Sequence, residues 1–139
     1  MLTAQNLYGT WILKNWMVSE FSQDRFQPFW IGVHGQLIYT TDGQMSVILA
    51  HPEWERTGLS PDRGFQEGVI AYSGSYTIAA DEIEHHVQHT NIRAWIGQTL
   101  IRQACLQDGA LILTTPITKD TQGEAAIHRL TWVRLGANF

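Results

Sequence analysis

Cysteine is almost missing from this chain of 139 residues, which contains Cys105 alone. A single thiol can form neither an intramolecular disulfide nor a cysteine-based metal cluster. Because Cys105 falls in a strand-like run, we expect it to be a buried and unreactive thiol. The fold must therefore be stabilised by an ordinary core, and the length suits one domain over residues 1–139.

Positive charge is sparse and long apolar runs are lacking. The chain has 9 Lys and Arg against 13 Asp and Glu, a formal net charge of -4. Its basic side chains are scattered and form no stripe, which argues against nucleic acid as a partner. No apolar run approaches the length of a membrane span, and the segment from Met1 to Asn6 does not resemble a signal peptide. These absences predict a cytoplasmic protein with no nucleic-acid or membrane partner.

The motifs of several cofactor-dependent and hydrolytic enzymes are also missing. The chain has no Gly-x-Ser-x-Gly, no glycine-rich phosphate loop and no dinucleotide fingerprint. His85, His86 and His89 invite a metal hypothesis, but neighbouring residues of a strand face opposite sides, and His85 and His89 would lie about 13 Å apart. Further ligands would have to come from His34, His51 or His128, which nothing in the sequence brings near. We predict neither a metal nor a cofactor.

What the chain does have is a series of short strand patterns separated by turns. Asp42-Gly43 and Asp108-Gly109 are typical of hairpin turns, and residues 2–8 predict one short helical turn capped by Thr3. The long irregular segment from His51 to Gly68 is expected to border one mouth of the fold as a mobile lid. The predicted strands cover residues 11–21, 35–40, 44–50, 69–78, 82–89, 98–106, 110–115 and 125–135. About eight strands at this spacing predict an all-β fold, a single antiparallel β-barrel.

The two ends of the chain carry a resemblance to calycin barrels such as the lipocalins. Gly9-x-Trp11 opens the first strand, and Arg134 closes the last. The resemblance implies that these strands pair and that Arg134 packs across the ring of Trp11. Internal runs at 35–47, 71–77, 85–87, 95–97 and 111–116 are similar to the short intracellular lipocalin-like domain family of bacteria and fungi. The resemblance spans about residues 7–135 and implies a small-molecule binder or a biosynthetic accessory enzyme.

Strand alternation selects the candidate site. His85 shares a face with Ile83 and Val87, so it is expected to point into the barrel, either as a hydrogen-bonded core residue or as a proton-transfer group. Arg102 is either a surface residue or an inward cation that could bind a carboxylate or enolate oxygen. The predicted ligand-binding residues are Tyr39, Met45, Tyr72, Tyr76, His85, Trp95 and Arg102. The tyrosine hydroxyls, His85 and Arg102 are expected to converge on one pocket, unless the rings fill the barrel and leave no cavity.

Three functions fit these residues. The first is binding of a small, largely apolar molecule, of aromatic or polyketide-like character, inside the barrel. The second is a cofactor-free isomerase or cyclase with His85, Tyr72 and Arg102 as catalytic residues. The third is a solid barrel that docks a protein partner through the exposed rings of Phe26, Phe29 and Trp30. A homodimer is compatible with each of them.

Overall fold

The computed structural model describes residues 2–20, 26–29, 31–52, 68–116, 118–119 and 125–136. Two short 3-10 turns, Ala4–Asn6 and Arg93–Trp95, accompany the strands of these segments. None of the helices among these residues is long and apolar enough to cross a membrane. The strands are β1 Gly9–Glu20, β2 Gln27–Pro28, β3 His34–Tyr39, β4 Gln44–Ala50, β5 Val69–Ala79, β6 Glu82–Thr90, β7 Thr99–Gln107, β8 Ala110–Thr114, β9 Thr118–Lys119 and β10 Ala125–Arg134.

Eight of these strands close into an antiparallel barrel. Their order is β1-β3-β4-β5-β6-β7-β8-β10, and β10 pairs back with β1 from Trp11↔Arg134 to Glu20↔Ala126. The two-residue strand β2 pairs with Met17 and Val18 near the end of β1, and β9 pairs with Ala125 and Ala126 at the start of β10. Closure removes the free sheet edges that would otherwise be prone to pair with other chains. The predicted all-β barrel, including the pairing of the first and last strands, is confirmed.

The connections divide the barrel into two ends. Residues 40–43, 80–81 and 108–109 join β3 to β4, β5 to β6 and β7 to β8 by tight turns, and we call this end the floor. The longer connections all leave the opposite end, which we call the mouth, because successive antiparallel strands reverse direction. The two ends of the predicted lid, His51 and Gly68, lie at the mouth, and residues 53–67 lie outside the described part of the chain, so the lid stays a prediction. Its two ends are joined by a hydrogen bond from the His51 N–H to the Gly68 carbonyl at 2.6 Å.

A tryptophan–arginine plug closes the floor. The Arg134 guanidinium carbon lies 4.2 Å from the centre of the Trp11 ring. Arg134 also donates to the carbonyl of Asn6 at 2.8 Å and to that of Tyr8, which ties the N-terminal turn to the last strand. The Trp11 indole donates to the Leu7 carbonyl at 2.9 Å. The predicted packing of Arg134 across Trp11 is confirmed.

Alternation along the strands sorts the side chains as expected, with one correction. Cys105 is exposed, so the prediction of a buried thiol is wrong. The reason is parity: Ala104 is buried, and its neighbour on the same strand must face the other way. Buried core side chains are Leu7, Trp11, Leu13, Trp16, Leu37, Tyr39, Met45, Val47, Leu49, Ile70, Tyr72, Tyr76, Ile83, Val87, Ala104, Leu111, Leu113, Leu130 and Trp132.

A β-bulge between β5 and β6 shapes the barrel next to the core histidine. Ser73 pairs with His89, whereas Gly74 pairs with Val87, so one residue of β6 has no counterpart. The strands approach so closely there that a Cβ on Gly74 would lie 1.8 Å from the His86 carbonyl oxygen. Only glycine fits this contact without a shift of the backbone.

The variant Gly74→Ala should therefore lower the free energy of unfolding by about 1–3 kcal/mol, the range typical of overpacking in a core. Ser73→Ala, the matched control, changes the adjacent residue on the other face and should be nearly neutral. Chemical denaturation of both variants measures the difference. Equal stabilities would contradict the steric role of the bulge.

Candidate functional site

His85 occupies the centre of a polar cluster inside the barrel. It lies on β6 between two buried apolar residues of the same face, and only 1% of its surface is exposed. Its Nε2 atom is 2.7 Å from the Tyr39 hydroxyl, and its Nδ1 atom is 3.0 Å from the Tyr72 hydroxyl. The inward orientation predicted for His85 is therefore confirmed, and both ring nitrogens are hydrogen-bonded within the protein. We call Tyr39–His85–Tyr72 the phenol–imidazole chain.

The register of the sheet brings these three side chains together from three strands. Tyr76 pairs with His85 across β5 and β6, and Tyr72 lies four residues nearer the mouth on the inward face of β5. Tyr39, the last residue of β3, pairs with Met45, and Met45 pairs with Gly74. The two hydroxyls thus reach the imidazole from opposite sides of its ring.

Burial sets the protonation of the phenol–imidazole chain. Desolvation lowers the pKa of His85 to about 3, and the charges of Arg102 and His86 act in the same direction. Desolvation also raises the pKa of Tyr39 well above its usual value and raises that of Tyr72. At neutral pH the imidazole is therefore neutral, with one donor and one acceptor nitrogen, and both phenols keep their protons. The two phenols and the imidazole carry three protons, but only two hydrogen bonds join them, so one phenol proton always points away from the phenol–imidazole chain.

Arg102 stands at the Tyr72 end of the phenol–imidazole chain. It lies half-buried on β7, on the same face as buried Ala104. Its charge and a hydrogen bond from it both act to lower the pKa of Tyr72, against the larger effect of burial. Its Nη1 atom also donates to the Ile101 carbonyl at 3.0 Å. Within the described segments no carboxylate forms an ion pair with Arg102.

Three further predicted site residues surround this cluster in different ways. Trp95 packs edge-to-face on Tyr72, with ring centres 5.6 Å apart. Met45 is 2% exposed and pairs with Tyr39. The ring of Tyr76 packs on Tyr39 at 4.8 Å, but its hydroxyl donates to the Thr40 carbonyl at 3.1 Å. The predicted convergence therefore describes Tyr39, Tyr72, His85 and Arg102, whereas the Tyr76 hydroxyl turns away to the floor.

Sequence reasoning missed how two of the interior tryptophans use their indole N–H groups. The Trp132 Nε1 atom is buried and has no hydrogen-bond partner, alone in this respect among the buried side-chain nitrogens and oxygens of the described residues. Leaving such a donor unsatisfied costs about 1–3 kcal/mol. Trp16 instead donates to His128 Nδ1 at 2.9 Å. Alternation from Leu130 places Trp132 on the inner face, but no pattern in the sequence shows which indole finds an acceptor.

Two of the three rings predicted to dock a partner pack against other side chains of the protein. Phe29 lies 4.7 Å from Trp16 and 5.0 Å from His128, measured between ring centres. The Arg129 guanidinium carbon covers the ring of Phe26 at 3.8 Å. Both phenylalanines are half-buried rather than fully exposed, because β2 pairs with β1 and its flanking residues pack on the barrel. Docking of a partner through these rings stays a prediction. Trp30 lies outside the described residues.

His86, on the outer face of β6, is engaged in cross-strand hydrogen bonds. His86 contacts the hydroxyls of Thr77 at 3.0 Å and of Thr99 at 3.1 Å, across three neighbouring strands. In the portion of the chain that the structure describes, no group of three or more His, Cys, Asp or Glu side chains is arranged to hold a metal ion.

The closed antiparallel barrel, its plug of Trp11 and Arg134 and the polar cluster within its apolar interior define a barrel of the lipocalin-like class. The sequence profile of the family described as "Lipocalin-like domain" matches residues 8–135, and the chain belongs to that family. A search of curated proteins finds no match. Among solved structures, the chain is similar to the one titled "Crystal structure of fluorescent protein UnaG wild type", with a TM-score of 0.46 and 11% sequence identity, over 95% of this chain and 99% of that one.

Proposed function

We propose that this protein binds a small, largely apolar molecule inside the barrel and holds a negatively charged oxygen of that molecule with Arg102 and Tyr72. The observation that carries the proposal is the half-buried, inward-facing Arg102, which forms no ion pair with any described carboxylate. A half-buried cation without an ion-pair partner is only partly compensated by neutral hydrogen bonds, and a ligand that supplies a carboxylate or enolate oxygen would complete that compensation. Membership in the lipocalin-like domain family supports small-molecule binding in general.

The hydrogen bonds of the phenol–imidazole chain indicate that the ligand group held at Tyr72 is a hydrogen-bond acceptor. If Tyr72 donates its proton to a ligand oxygen, His85 Nδ1–H donates to the Tyr72 oxygen and Tyr39 donates to His85 Nε2. In this arrangement each of the three protons has an acceptor, and the Tyr72 oxygen still accepts from Arg102. A ligand group that only donates hydrogen bonds would leave one proton of the phenol–imidazole chain without an acceptor.

The apolar body of the ligand is proposed to lie against the rings and the methionine around this cluster. Tyr72 and Trp95 form an edge-to-face pair, and Tyr39 and Tyr76 form another. Such faces suit an aromatic or polyketide-like body better than a purely branched aliphatic one. The proposed ligand-binding residues are Tyr39, Met45, Tyr72, Tyr76, His85, Trp95 and Arg102.

Calorimetric titration with dodecanoate and dodecan-1-ol, which differ in charge but not in length, tests the role of Arg102. The wild type should bind dodecanoate more tightly than the alcohol, by about tenfold or more, because an ion pair and a charged hydrogen bond form only with the acid. Arg102→Met should abolish this preference. Lys14→Met removes a positive charge from an exposed position and is the matched control, which should keep the preference. An Arg102→Met variant that still prefers the acid would contradict the assignment of Arg102.

A cofactor-free isomerase or cyclase is the second candidate, favoured by the continuous hydrogen bonding of the phenol–imidazole chain. A neutral imidazole between two phenols can pass a proton from one to the other, with Tyr72, His85 and Arg102 as catalytic residues. Because the pKa of His85 is lowered to about 3, its imidazole is a weak base and the transfer would have to run in concert along the chain.

Native mass spectrometry of the freshly purified protein separates the two candidates. A co-purified small molecule that is released unchanged after incubation in deuterated water supports binding alone. Deuterium incorporated at a carbon of that molecule supports catalysis, provided that His85→Gln retains the molecule and stops the exchange. The absence of any bound molecule, together with no binding of dodecanoate, would contradict both candidates.

A further inference from the structure

Trp132 carries the interior hydrogen-bond donor that the proposed site does not use. The residue lies on the inward face of β10, its side chain is 1% exposed, and its Nε1–H has no acceptor among the described residues. The other two indoles of the buried core are satisfied, Trp11 by the Leu7 carbonyl and Trp16 by His128. More than nine in ten buried polar groups of native proteins have a partner, so this one calls for an explanation.

The side chains that pair with Trp132 on the neighbouring strands are apolar and cannot accept its hydrogen bond. Its neighbours in register are Leu13 on β1 and Leu111 on β8, both buried. Arg134, two residues further along the same strand, has only donors and uses two of them on the N-terminal turn. Any acceptor for the indole would therefore have to come from outside the described protein atoms.

We infer that Trp132 Nε1–H is a second polar contact for the bound molecule, and that the ligand carries a second acceptor oxygen, such as a ketone, nearer the floor than its charged end. This inference rests on the proposed function. It adds a specificity-determining residue, because a ligand with a hydrocarbon at this point would leave the indole unpaired. Discrimination against ligands that leave a buried polar group unpaired is strong in protein sites.

The register sets the spacing of the two oxygens. Trp132 pairs with Leu111 of β8, and Leu111 pairs with Leu106 of β7, so Trp132 and Leu106 lie at the same level of the sheet. Leu106 is four residues nearer the floor than Arg102 on β7. Four residues of a strand span about 13 Å. The ligand is therefore an elongated molecule, with an anionic oxygen at Arg102 and Tyr72 and a neutral acceptor oxygen on the order of 13 Å away along the strands.

Two linear acids test this inference, dodecanoate and 11-oxododecanoate, which carries a ketone ten bonds from the carboxyl carbon. Calorimetric titration of the wild type should show about a fivefold to tenfold preference for the oxo acid, the value of one neutral hydrogen bond. Trp132→Phe should bind both acids equally, at the affinity that the wild type has for dodecanoate. Preference for the oxo acid that persists in Trp132→Phe, or equal binding of both acids by the wild type, would overturn the assignment.

A spectroscopic readout on the wild type keeps the test independent of the folding of the variant. With 15N-labelled tryptophan, the Nε1–H resonance of Trp132 should move downfield with 11-oxododecanoate and stay in place with dodecanoate. The same shift with both acids, or cross-peaks to water in both complexes, would indicate an internal water as the acceptor and would overturn the inference. If the wild type binds dodecanoate but shows no oxo-acid effect, the second contact alone fails. If it binds neither acid, the proposed function fails with it.

Discussion

Acidification from about pH 6.5 should lower the free energy of unfolding, with a slope that rises to about 1.4 kcal/mol for each pH unit at about pH 5, because the unfolded chain gains a proton at His85 and the folded chain does not. Its pKa is lowered from 6.5 to about 3 in the folded protein, mainly by desolvation. The unfolded chain therefore binds a proton in this range and the folded chain does not. The stability that the neutral His85 allows is therefore complete above its unfolded pKa, and it is lost as the pH drops towards the pKa of His85 in the folded protein. Denaturant titrations at half-unit steps of pH measure the slope.

The matched variants isolate His85 from the other titrating groups. His85→Gln removes the buried imidazole and should flatten the slope above pH 5, where few carboxylates titrate. His86→Gln replaces the adjacent histidine on the outer face and leaves the buried one in place, so it should keep the wild-type slope. Should His85→Gln lose stability with acid as steeply as the wild type, the neutral buried imidazole would not be the source of the effect.

The barrel could be predicted from the sequence because its two determinants are local. Alternation decides which residues of a strand face the core, and glycine-containing turns such as Asp42-Gly43 and Asp108-Gly109 decide where strands end. The predicted strand at 44–50 has the bounds of β4, and the others differ from the observed strands by a residue or two at their ends. The prediction for Cys105 was wrong although the parity of β7 was readable, because a preference of the residue type was given more weight than its position.

The interior site could be predicted only in part, because hydrogen bonds depend on directions that alternation does not specify. Tyr72 and Tyr76 share a strand face, yet the Tyr72 hydroxyl reaches His85 and the Tyr76 hydroxyl reaches the Thr40 carbonyl. The bulge at Gly74 lies between the two tyrosines and gives them different registers against β6, which alternation alone does not reveal. Likewise, the sequence shows that Trp132 and Trp11 face inward, but the acceptor of Trp11 comes from the N-terminal turn, whose packing against the floor is tertiary.

The polar cluster around His85 and Arg102 also has a consequence for stability in the presence of ligand. A ligand that binds the folded chain alone stabilises it according to the ratio of its concentration to its dissociation constant. An anion at Arg102 would in addition offset the positive charge that acts on His85, so that protonation of the imidazole becomes less unfavourable. The acid sensitivity of the protein should therefore be smaller when an anionic ligand is bound than when an uncharged ligand of the same shape is bound.

Replacing the plug tryptophan, Trp11→Ala, should lower the free energy of unfolding by about 3–5 kcal/mol, the cost of deleting a fully buried aromatic side chain. Trp11 is 1% exposed, and its ring supports the Arg134 guanidinium at 4.2 Å. The variant also leaves the Leu7 carbonyl without its indole donor, in a place where little water can replace it. For a domain whose total stability is typically about 5–15 kcal/mol, this loss should be visible as a large fall in the midpoint of thermal or denaturant unfolding.

Trp95→Ala is the control that distinguishes the plug from tryptophan packing in general. Trp95 lies half-buried in the second 3-10 turn at the mouth and packs on Tyr72, so its removal should cost less stability and act on ligand affinity instead. Arg134→Met keeps the bulk over the Trp11 ring but loses both hydrogen bonds to the N-terminal turn. Its loss of unfolding free energy should lie between those of Trp11→Ala and Trp95→Ala. If Trp11→Ala cost no more than Trp95→Ala, the closure of the floor would contribute little stability, because the pairing of β1 with β10 would hold the barrel without its plug.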